Sequence, residues 1–265
     1  MKIIGFSQLH NESEKGNLED WFRCMNALCD RTYIFDQAST DNSREIYKRN
    51  NAEVIYNKTN DFKRELVCKQ VLLDTLLMEN PDTDWIFWMD GDTLLDKRLL
   101  TREVTTEILK VIETVGGDGL RLGHYNLWRS DVHYRIDSEY NYFDIAGRVA
   151  FWRNNGHLRF LNKEGLHMMQ EPIGMELIVP QMEYKLIHRG FATDYQLINK
   201  YKIYDEINKS DKVGFTPGLD RLLQEDNLVV KKIPTEILPV WYKIENDSNP
   251  TGLEKIKNIY NKGEK

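Results

Sequence analysis

Strand-like and helical segments alternate over the first 90 residues, and this alternation constrains the fold of the chain more than any other feature. Short apolar runs rich in β-branched and aromatic residues predict strands at 2–6, 32–35, 53–56 and 84–89. Apolar residues at helical spacing predict helices at 17–29, 44–50 and 61–79. Three successive strand–helix units are typical of an α/β protein whose mostly parallel, Rossmann-like sheet has helices on both faces.

Polar clusters follow three of the predicted strands. Their sequences are SQLHNE at 7–12, DQASTDNS at 36–43 and DGD at 90–92. In open α/β sheets, ligands bind outside the carboxyl ends of the strands. We therefore expect the three clusters to meet at one edge of the sheet and to form the functional site.

The DGD cluster has the chemistry of a cation site. Residues i and i+2 of an extended strand point the same way, so Asp90 and Asp92 can share one hard cation. Oxygen ligands with open positions suit Mg²⁺ or Mn²⁺ bridging a diphosphate, and Gly91 leaves room for a bulky anion near the backbone. The alternative interpretation is an acidic turn without function. A second D-x-D, Asp82 and Asp84, precedes the strand and so lies at the wrong end of the sheet.

The size and composition of the chain fit an ordinary globular protein with a single large domain. It has 265 residues and a net charge of −6, and this acidic balance argues against nucleic acid as the main partner, although a nucleic acid acceptor stays open. The N-terminal apolar run is too short for a signal peptide, and no run of about 18 apolar residues predicts a membrane span. Three cysteines without metal-like spacing fit a reducing compartment, so we expect a cytoplasmic protein.

The ordered motifs resemble those of glycosyltransferase family 2, whose members have the A-type glycosyltransferase (GT-A) fold. That family shows a strand and then N-E, a strand and then D-D-G-S-T-D, and later D-x-D; here HNE, DQASTDNS and DGD occupy these places, with Gln37 and Ala38 as departures. The match is dense over 1–96 and looser to about residue 205. The resemblance implies a GT-A domain at 1–200, with a nucleotide-binding half at 1–96 and an acceptor half at 97–200. A C-terminal helical extension at 201–265 would pack on it.

The same resemblance implies an activity. The chain would be a metal-dependent, inverting glycosyltransferase that uses Mn²⁺ or Mg²⁺. It would transfer a sugar from a nucleoside-diphosphate sugar, with uridine diphosphate (UDP) as the default nucleotide, to a hydroxyl acceptor such as a glycan. The residues identify neither the sugar nor the acceptor.

The resemblance also implies which residues bind the donor. These nucleotide-sugar-binding residues would be Leu9, His10, Asn11, Glu12, Asp36, Arg64, Asp90 and Gly91. Asp90 would lie near the ribose and the donor sugar. For Arg64, an exposed helix residue paired with nearby Asp61 is the alternative.

The metal would be held by Asp90, Asp92 and His188. His188, in the sequence LIHRG, matches the late histidine that often completes the metal site in this fold. Imidazole is a good ligand for Mn²⁺ alongside carboxylates. A satisfied interior histidine is the alternative for His188, and His167 is a competing ligand.

The second half supplies candidates for the catalytic base and the acceptor site. Inverting transfer needs a base at the acceptor hydroxyl, and a carboxylate usually supplies it. The candidates are Asp131, Asp137, Asp144 and Glu171. We choose Asp137, because Tyr134-Arg135-x-Asp137 matches the pattern of one bacterial branch of the family. It could instead merely pair with Arg135 or Arg148. Trp128 and Tyr134 could form the acceptor platform, with buried core aromatics as the alternative.

Two other functions compete with sugar transfer. A haloacid-dehalogenase-like phosphatase also has an apolar strand followed by D-x-D, with Asp90 as the nucleophile. Its motif has Thr or Val four residues after the first aspartate, where this chain has Leu94, and it normally opens the domain. The other competitor is a non-catalytic sugar-nucleotide-binding protein that has kept the fold.

Overall fold

The computed structural model of the chain describes residues 1–137, 146–163, 171–210, 226–256 and 258–259. The helices in this part of the chain are α1 Leu18–Leu28, α2 Ser43–Arg49, α3 Glu65–Glu79, α4 Arg102–Thr114 and α5 Asp194–Ser210. The strands are β1 Ile3–Leu9, β2 Arg31–Asp36, β3 Glu53–Tyr56, β4 Trp85–Trp88, β5 Thr93–Leu95, β6 Gly119–Asn126, β7 His133–Arg135, β8 Arg148–Arg153, β9 Ile178–His188 and β10 Val230–Lys232. No described helix is long and apolar enough to cross a membrane.

A mixed eight-stranded sheet forms the centre of the molecule, in the order β3-β2-β1-β4-β8-β6-β9-β5. Strands β1 to β4 are mutually parallel where they pair, as the sequence predicted. β8 is antiparallel to both of its neighbours, β4 and β6, while β9 is parallel to β6. The α/β class with a largely parallel sheet is therefore confirmed, with antiparallel strands added in the second half.

This topology brings the ends of many strands to one edge of the sheet. β6 and β9 run in the direction of β4, because β6 pairs with β8 and β8 reverses the direction of β4. The carboxyl ends of β1, β2, β4, β6 and β9 therefore share an edge with the amino ends of β8 and β5. At the last pair, Thr93 at the start of β5 lies opposite His188 at the end of β9.

Helices cover both faces of the sheet, and the alternation of side chains along each strand explains why. On β4, Trp85 and Phe87 face one core, which contains α1 residues such as Trp21. Ile86 and Trp88 face the other core, which contains α3 residues such as Leu72. Successive side chains of a strand point to opposite faces, so a central strand that is apolar throughout has to be covered on both sides. Trp85 and Trp88 are core residues, as expected.

Two helices, α3 and α2, begin irregularly. The helix expected at 61–79 begins as a 3₁₀ turn, Phe62–Arg64, and becomes α-helical only at Glu65. At α2, Asn42 is the N-cap residue but its side chain makes no capping hydrogen bond. Asp41 accepts a hydrogen bond from the Ser43 amide instead, at 2.9 Å.

The helical form expected for the segment after residue 200 is found only in part. α5 begins at Asp194 and runs across the expected domain boundary to Ser210. Residues 226–255 contain β10, which pairs with β7, and a 3₁₀ turn at Thr235–Ile237, joined by turns and extended chain. This segment packs on the domain, because the side chains of Ile233 and Leu238 belong to the main core.

Candidate active site

Asp92 and His188 meet where β5 pairs with β9. The strand pairing places Thr93 opposite His188, and the Asp92 side chain, one residue earlier, reaches the imidazole. Asp92 Oδ2 lies 3.1 Å from His188 Nε2. The backbone carbonyl of Asp92 also accepts a hydrogen bond from the Arg189 amide at 2.7 Å, which anchors the turn after β4 to the end of β9. The structure therefore joins two of the expected metal ligands, which lie 96 residues apart in the sequence.

The surroundings of His188 keep its ring neutral and oriented. Burial lowers the pKa of His188 more than the neighbouring Asp92 carboxylate raises it. Its Nδ1 lies 2.9 Å from Oδ1 of Asn126, at the carboxyl end of β6. A neutral imidazole carries one N–H, and a hydrogen bond from Nδ1 to the Asn126 oxygen leaves the Nε2 lone pair facing Asp92. That arrangement is typical of a histidine ready to bind a cation.

Lys200, on α5, completes this group. Its Nζ lies 3.3 Å from Asp92 Oδ2 and 3.3 Å from His188 Nε2. Burial by itself would raise the pKa of Asp92, but attraction to the His188 ring in its protonated form and to the Lys200 ammonium outweighs burial and holds that pKa well below its usual range. The Asp92 carboxylate is therefore ionised at neutral pH and already has a cation beside it.

Asp90, the other acidic residue of DGD, has a cationic partner of its own. Arg148 at the start of β8 places Nη1 3.2 Å from Asp90 Oδ2. The pairing follows from the fold, because the antiparallel register of β4 and β8 brings the start of β8 to the end of β4. The Asp90 side chain is 35% exposed, so it lies at the mouth of the site.

Gly91 has a different role from the one expected. A Cβ atom at this position would lie 2.6 Å from Glu12 Cγ and 2.7 Å from Leu9 Cδ2. The space beside the glycine is therefore filled by side chains from the end of β1 and not by an approaching anion. What Gly91 allows is close contact between the DGD turn and the HNE loop.

Glu12 is buried beside this turn. Its carboxylate lies 2.7 Å from Lys15 Nζ and 3.1 Å from Asn17 Nδ2. Burial raises the pKa of Glu12, the Lys15 ammonium opposes this shift, and the negative charge of Asp92 adds to it. The interaction with Asp92 shows that the first cluster and the DGD cluster share one electrostatic environment.

The loops after β1 and β2 hold each other through hydrogen bonds. His10 Nδ1 lies 2.7 Å from the carbonyl oxygen of Gln37. Asn11, in a left-handed conformation with φ of 51°, accepts a hydrogen bond from the Thr40 amide through its side-chain oxygen at 2.8 Å. Asn tolerates this conformation better than most residues. The HNE and QAST segments therefore form one surface beside DGD, as their places at strand ends predicted.

Asp36 supports this surface from below. It is fully buried, accepts a hydrogen bond from the Ser39 amide at 3.0 Å and another from the Tyr47 hydroxyl at 3.2 Å. Its carboxylate is therefore directed at its own loop and at α2. Arg64, by contrast, is exposed and lies 3.9 Å from Asp61, which is the surface pairing weighed as its alternative.

Asp137 and Trp128 take part in a structural contact in the second half. Arg135 forms a bidentate ion pair with Asp137 Oδ2, with Nε at 2.8 Å and Nη2 at 2.7 Å. The Arg135 guanidinium in turn lies 4.2 Å from the centre of the Trp128 ring. Trp128 is fully buried against Leu197, which is the arrangement of a core aromatic residue that was weighed as its alternative. Tyr134 is also buried and stacks on Tyr125, with ring centres 4.0 Å apart.

The remaining base candidates differ in position. Asp131 accepts hydrogen bonds from the amides of Glu245 and Asn246, both at 2.8 Å, and so holds the C-terminal segment in place. Glu171 Oε1 lies 3.5 Å from the amide nitrogen of Val149, the neighbour of Arg148, and this puts it next to the Asp90 pair. Asp144 and His167 lie outside the described residues.

Sequence reasoning missed three residues of the site. Arg148 was considered only as a partner for Asp137, while Lys200 and Asn126 were given no role. Asn126 ends a strand at the functional edge, and that position is the signal that could have found it. Lys200 carries no such signal, because it is one of several lysines on a helix whose orientation the sequence does not give.

The donor chemistry of the site fits a divalent ion. Within the residues that the structure describes, no cluster of three or more His, Cys, Asp and Glu side chains could hold a metal by itself. Asp92 and His188 offer one carboxylate and one imidazole. Mg²⁺ and similar ions commonly use one or two protein ligands and complete their coordination with water and substrate phosphates. The residues therefore fit Mn²⁺ or Mg²⁺ bound together with a diphosphate.

Comparison with known proteins gives matches only among solved structures. No protein-family model matches the chain, and no curated protein matches it. The chain is similar to S. aureus TarS 1–349 in complex with UDP, with 13% identity, a TM-score of 0.46, and coverage of 78% of this chain and 66% of that one. It is also similar to the glucosyl-3-phosphoglycerate synthase from Mycobacterium tuberculosis in complex with Mn²⁺, UDP-glucose and phosphoglyceric acid, with 15% identity, a TM-score of 0.32, and coverage of 47% and 44%.

A third similar structure is the mannosyl-3-phosphoglycerate synthase from Rubrobacter xylanophilus, with 17% identity, a TM-score of 0.32, and coverage of 48% of this chain and 41% of that one. The chain thus spans just under two thirds of the S. aureus structure and less than half of the two synthases.

Proposed function

We propose that the chain is a metal-dependent glycosyltransferase that transfers a sugar from a nucleoside-diphosphate sugar to a hydroxyl acceptor with inversion at the sugar carbon. The observation that carries the proposal is the meeting of Asp92 and His188 at the edge where β1, β2 and β4 end. A carboxylate and a neutral imidazole at 3.1 Å suit a cation that binds a diphosphate. A glycan is the acceptor class we propose, and UDP is the default nucleotide on family resemblance.

The residues have distinct proposed roles. Asp92 and His188 would hold Mn²⁺ or Mg²⁺, which supplies positive charge to the diphosphate as it leaves. Arg148 holds Asp90 at the mouth of the site, where the ribose and donor sugar would lie. The HNE and QAST segments form the adjoining surface for the nucleotide.

The catalytic base is proposed to be Asp137, with Glu171 as the alternative. In this structure Asp137 pairs with Arg135, whose Nε and Nη2 both contact Asp137 Oδ2. Glu171 lies near the Arg148–Asp90 pair. The rate of sugar transfer should therefore be measured in variants of both carboxylates.

The experiment is a thermal-shift titration with UDP, GDP, CDP and dTDP, each with and without Mn²⁺. A ligand at about a hundred times its dissociation constant stabilises the folded state by about 2.7 kcal/mol. We expect one nucleotide to give a shift that depends on Mn²⁺, and we expect Asp92→Ala to lose it.

The chain contains a matched control in its other D-x-D. Asp82 lies at the opposite end of the sheet, where it pairs with Lys2 at 2.6 Å on the surface. Asp82→Ala should therefore keep the Mn²⁺-dependent shift. An unchanged shift in Asp92→Ala, or an equal loss in both variants, contradicts the proposed role of DGD.

A further inference from the structure

Lys200 contacts both of the side chains that are proposed to hold the divalent ion, Asp92 and His188. Its ammonium nitrogen is equally distant, at 3.3 Å, from Asp92 Oδ2 and His188 Nε2. On its other side it lies 4.2 Å from the centre of the Phe191 ring. A carboxylate, an imidazole lone pair and an aromatic face are all groups that attract a cation. The ammonium is thus held on several sides.

A cation beside Asp92 Oδ2 and His188 Nε2 stabilises both atoms. They lie 3.1 Å apart, and in the tautomer in which His188 Nδ1 donates to Asn126 both of them are acceptors, which repel each other less when a positive charge lies beside them. The Lys200 ammonium supplies that charge. A divalent ion would use the same oxygen and the same nitrogen, so the ammonium and the ion cannot both occupy the position.

Gly190 provides the space for this arrangement. A Cβ atom at residue 190 would lie 2.1 Å from Lys200 Nζ, 2.4 Å from Asp92 Oδ2 and 2.6 Å from His188 Nε2. The side chains from β5, β9 and α5 therefore converge on the one point that the missing side chain of Gly190 leaves open. The Lys200 side chain is 26% exposed, so it can withdraw toward solvent when another cation arrives.

We propose that Lys200 is the resident cation of the Asp92–His188 pair and that Mn²⁺ or Mg²⁺ must displace it to bind. Lys200 thereby sets the ion concentration at which the site fills. This inference rests on the proposed function, because it takes Asp92 and His188 as the ion site. By linkage, whatever weakens the hold of Asp92 and His188 on Lys200 strengthens their hold on the ion.

The test measures Mn²⁺ binding directly, by the electron paramagnetic resonance signal of free Mn²⁺ in the absence of nucleotide. Lys200→Met removes the charge and keeps most of the aliphatic stem, and it should bind Mn²⁺ about tenfold more tightly than the wild-type protein. Lys200→Arg keeps a cation and should stay close to wild type. Lys202→Met is the matched control, because Lys202 is exposed on the same helix, and it should also stay close to wild type.

Each other outcome overturns the inference. Unchanged or weaker Mn²⁺ binding by Lys200→Met means that the ammonium does not compete with the ion. An equal gain in Lys202→Met means that only the general charge of α5 matters. Thermal unfolding of each variant establishes that the compared proteins are folded.

Nucleotide titrations of the same variants separate this inference from the proposed function. If Lys200→Met gains Mn²⁺ affinity while no nucleoside diphosphate binds to any variant, the ion site stands and the transferase proposal fails. If a nucleoside diphosphate binds with Mn²⁺ while Lys200→Met leaves the Mn²⁺ affinity unchanged, the transferase proposal stands and the role of Lys200 fails.

Discussion

The two halves of the chain contribute opposite charges to the candidate site. Residues 1–96 supply its carboxylates, Asp90 and Asp92, and the second half supplies the groups that neutralise them. Arg148 pairs with Asp90, while His188 and Lys200 contact Asp92. In the first half, Lys15 pairs with Glu12, and the direct cationic contacts of Asp90 and Asp92 come from the second half. The comparison teaches that the carboxylates of the D-x-D motif obtain their contacts with Arg148, His188 and Lys200 from residues that are distant in the sequence.

The two halves also differ in the kind of structure that brings their residues to the site. In the first half, the alternation of strand and helix positions the motifs through parallel strand ends. In the second half, antiparallel strands and a long helix bring single residues to the same place. Substitutions in either half test this difference. Their expected effects range from a large loss in the rate of sugar transfer to a small change in the stability of the protein.

The strongest test concerns the base from the second half. Loss of a general base typically lowers the rate of the chemical step by about 10²–10⁴-fold. Asp137→Asn should show this loss in sugar transfer while keeping donor binding, and Glu171→Gln should not. Transfer rates with saturating donor, and donor affinities by calorimetry, measure the two properties. Normal transfer by Asp137→Asn together with loss in Glu171→Gln would move the base to Glu171.

A second test concerns Trp128 as a core residue. The ring is fully buried, and truncation of such a side chain typically costs about 3–5 kcal/mol of stability. Trp128→Ala should therefore lower the free energy of unfolding by this amount, as measured with urea. An acceptor platform would instead show little change in stability and a raised KM for the acceptor.

A third test concerns Asp36 in the first half. Its carboxylate accepts hydrogen bonds from Ser39 and Tyr47 inside the protein. Asp36→Ala leaves these donors unsatisfied and should cost about 1–3 kcal/mol in the free energy of unfolding. If Asp36 instead binds the nucleotide base directly, nucleotide affinity should fall in a variant of nearly unchanged stability. That result would contradict a structural role for Asp36.

The smallest expected effect is a pH dependence of the free energy of unfolding, caused by two buried histidines of the second half. Burial and the nearby Arg148 hold the pKa of His124 well below its usual range, and burial lowers that of His188. As the pH falls below about 6.5, the unfolded chain binds protons that the folded chain does not, so stability declines. The slope approaches about 1.4 kcal/mol per pH unit for each such histidine.

Urea unfolding between about pH 7.5 and 5.5 measures this slope, because the unperturbed pKa of histidine lies within that interval. His124→Gln should make the dependence less steep, while the same change at His157, which is exposed, should leave it as in the wild-type protein. A slope that is identical in all three proteins would show that His124 is not buried in a neutral form.

Much of the first half could be predicted from the sequence, because its features are local. The strands at Ile3–Leu9 and Trp85–Trp88 follow from apolar runs, and the place of DGD at a strand end follows from the same pattern. Less could be predicted about what the polar residues contact. Asp36 and Gly91 match a family pattern, but their neighbours Tyr47 and Glu12 are set by packing between elements.

The contacts of the site residues in the second half could not be predicted from the sequence, for a physical reason. Whether Lys200 reaches Asp92 depends on the orientation of α5, which is a property of tertiary packing and leaves no periodic trace in the sequence. The aromatic residues there are equally suited to a core and to a sugar platform, since both uses need large apolar rings. Trp128 turned out to be core, whereas His188 was placed with Asp92 as the resemblance implied.

The most direct test of the central claim is a double-mutant cycle between the two halves. Calorimetry would measure the affinity for UDP with Mn²⁺ in the wild-type protein, Asp92→Asn, His188→Gln and the double variant. Each single change should lower the affinity by about 100-fold, because each leaves its partner unpaired, and the double change should cost little more. Losses that add fully, or a single variant that binds as well as the wild-type protein, would contradict the account of one site built by both halves.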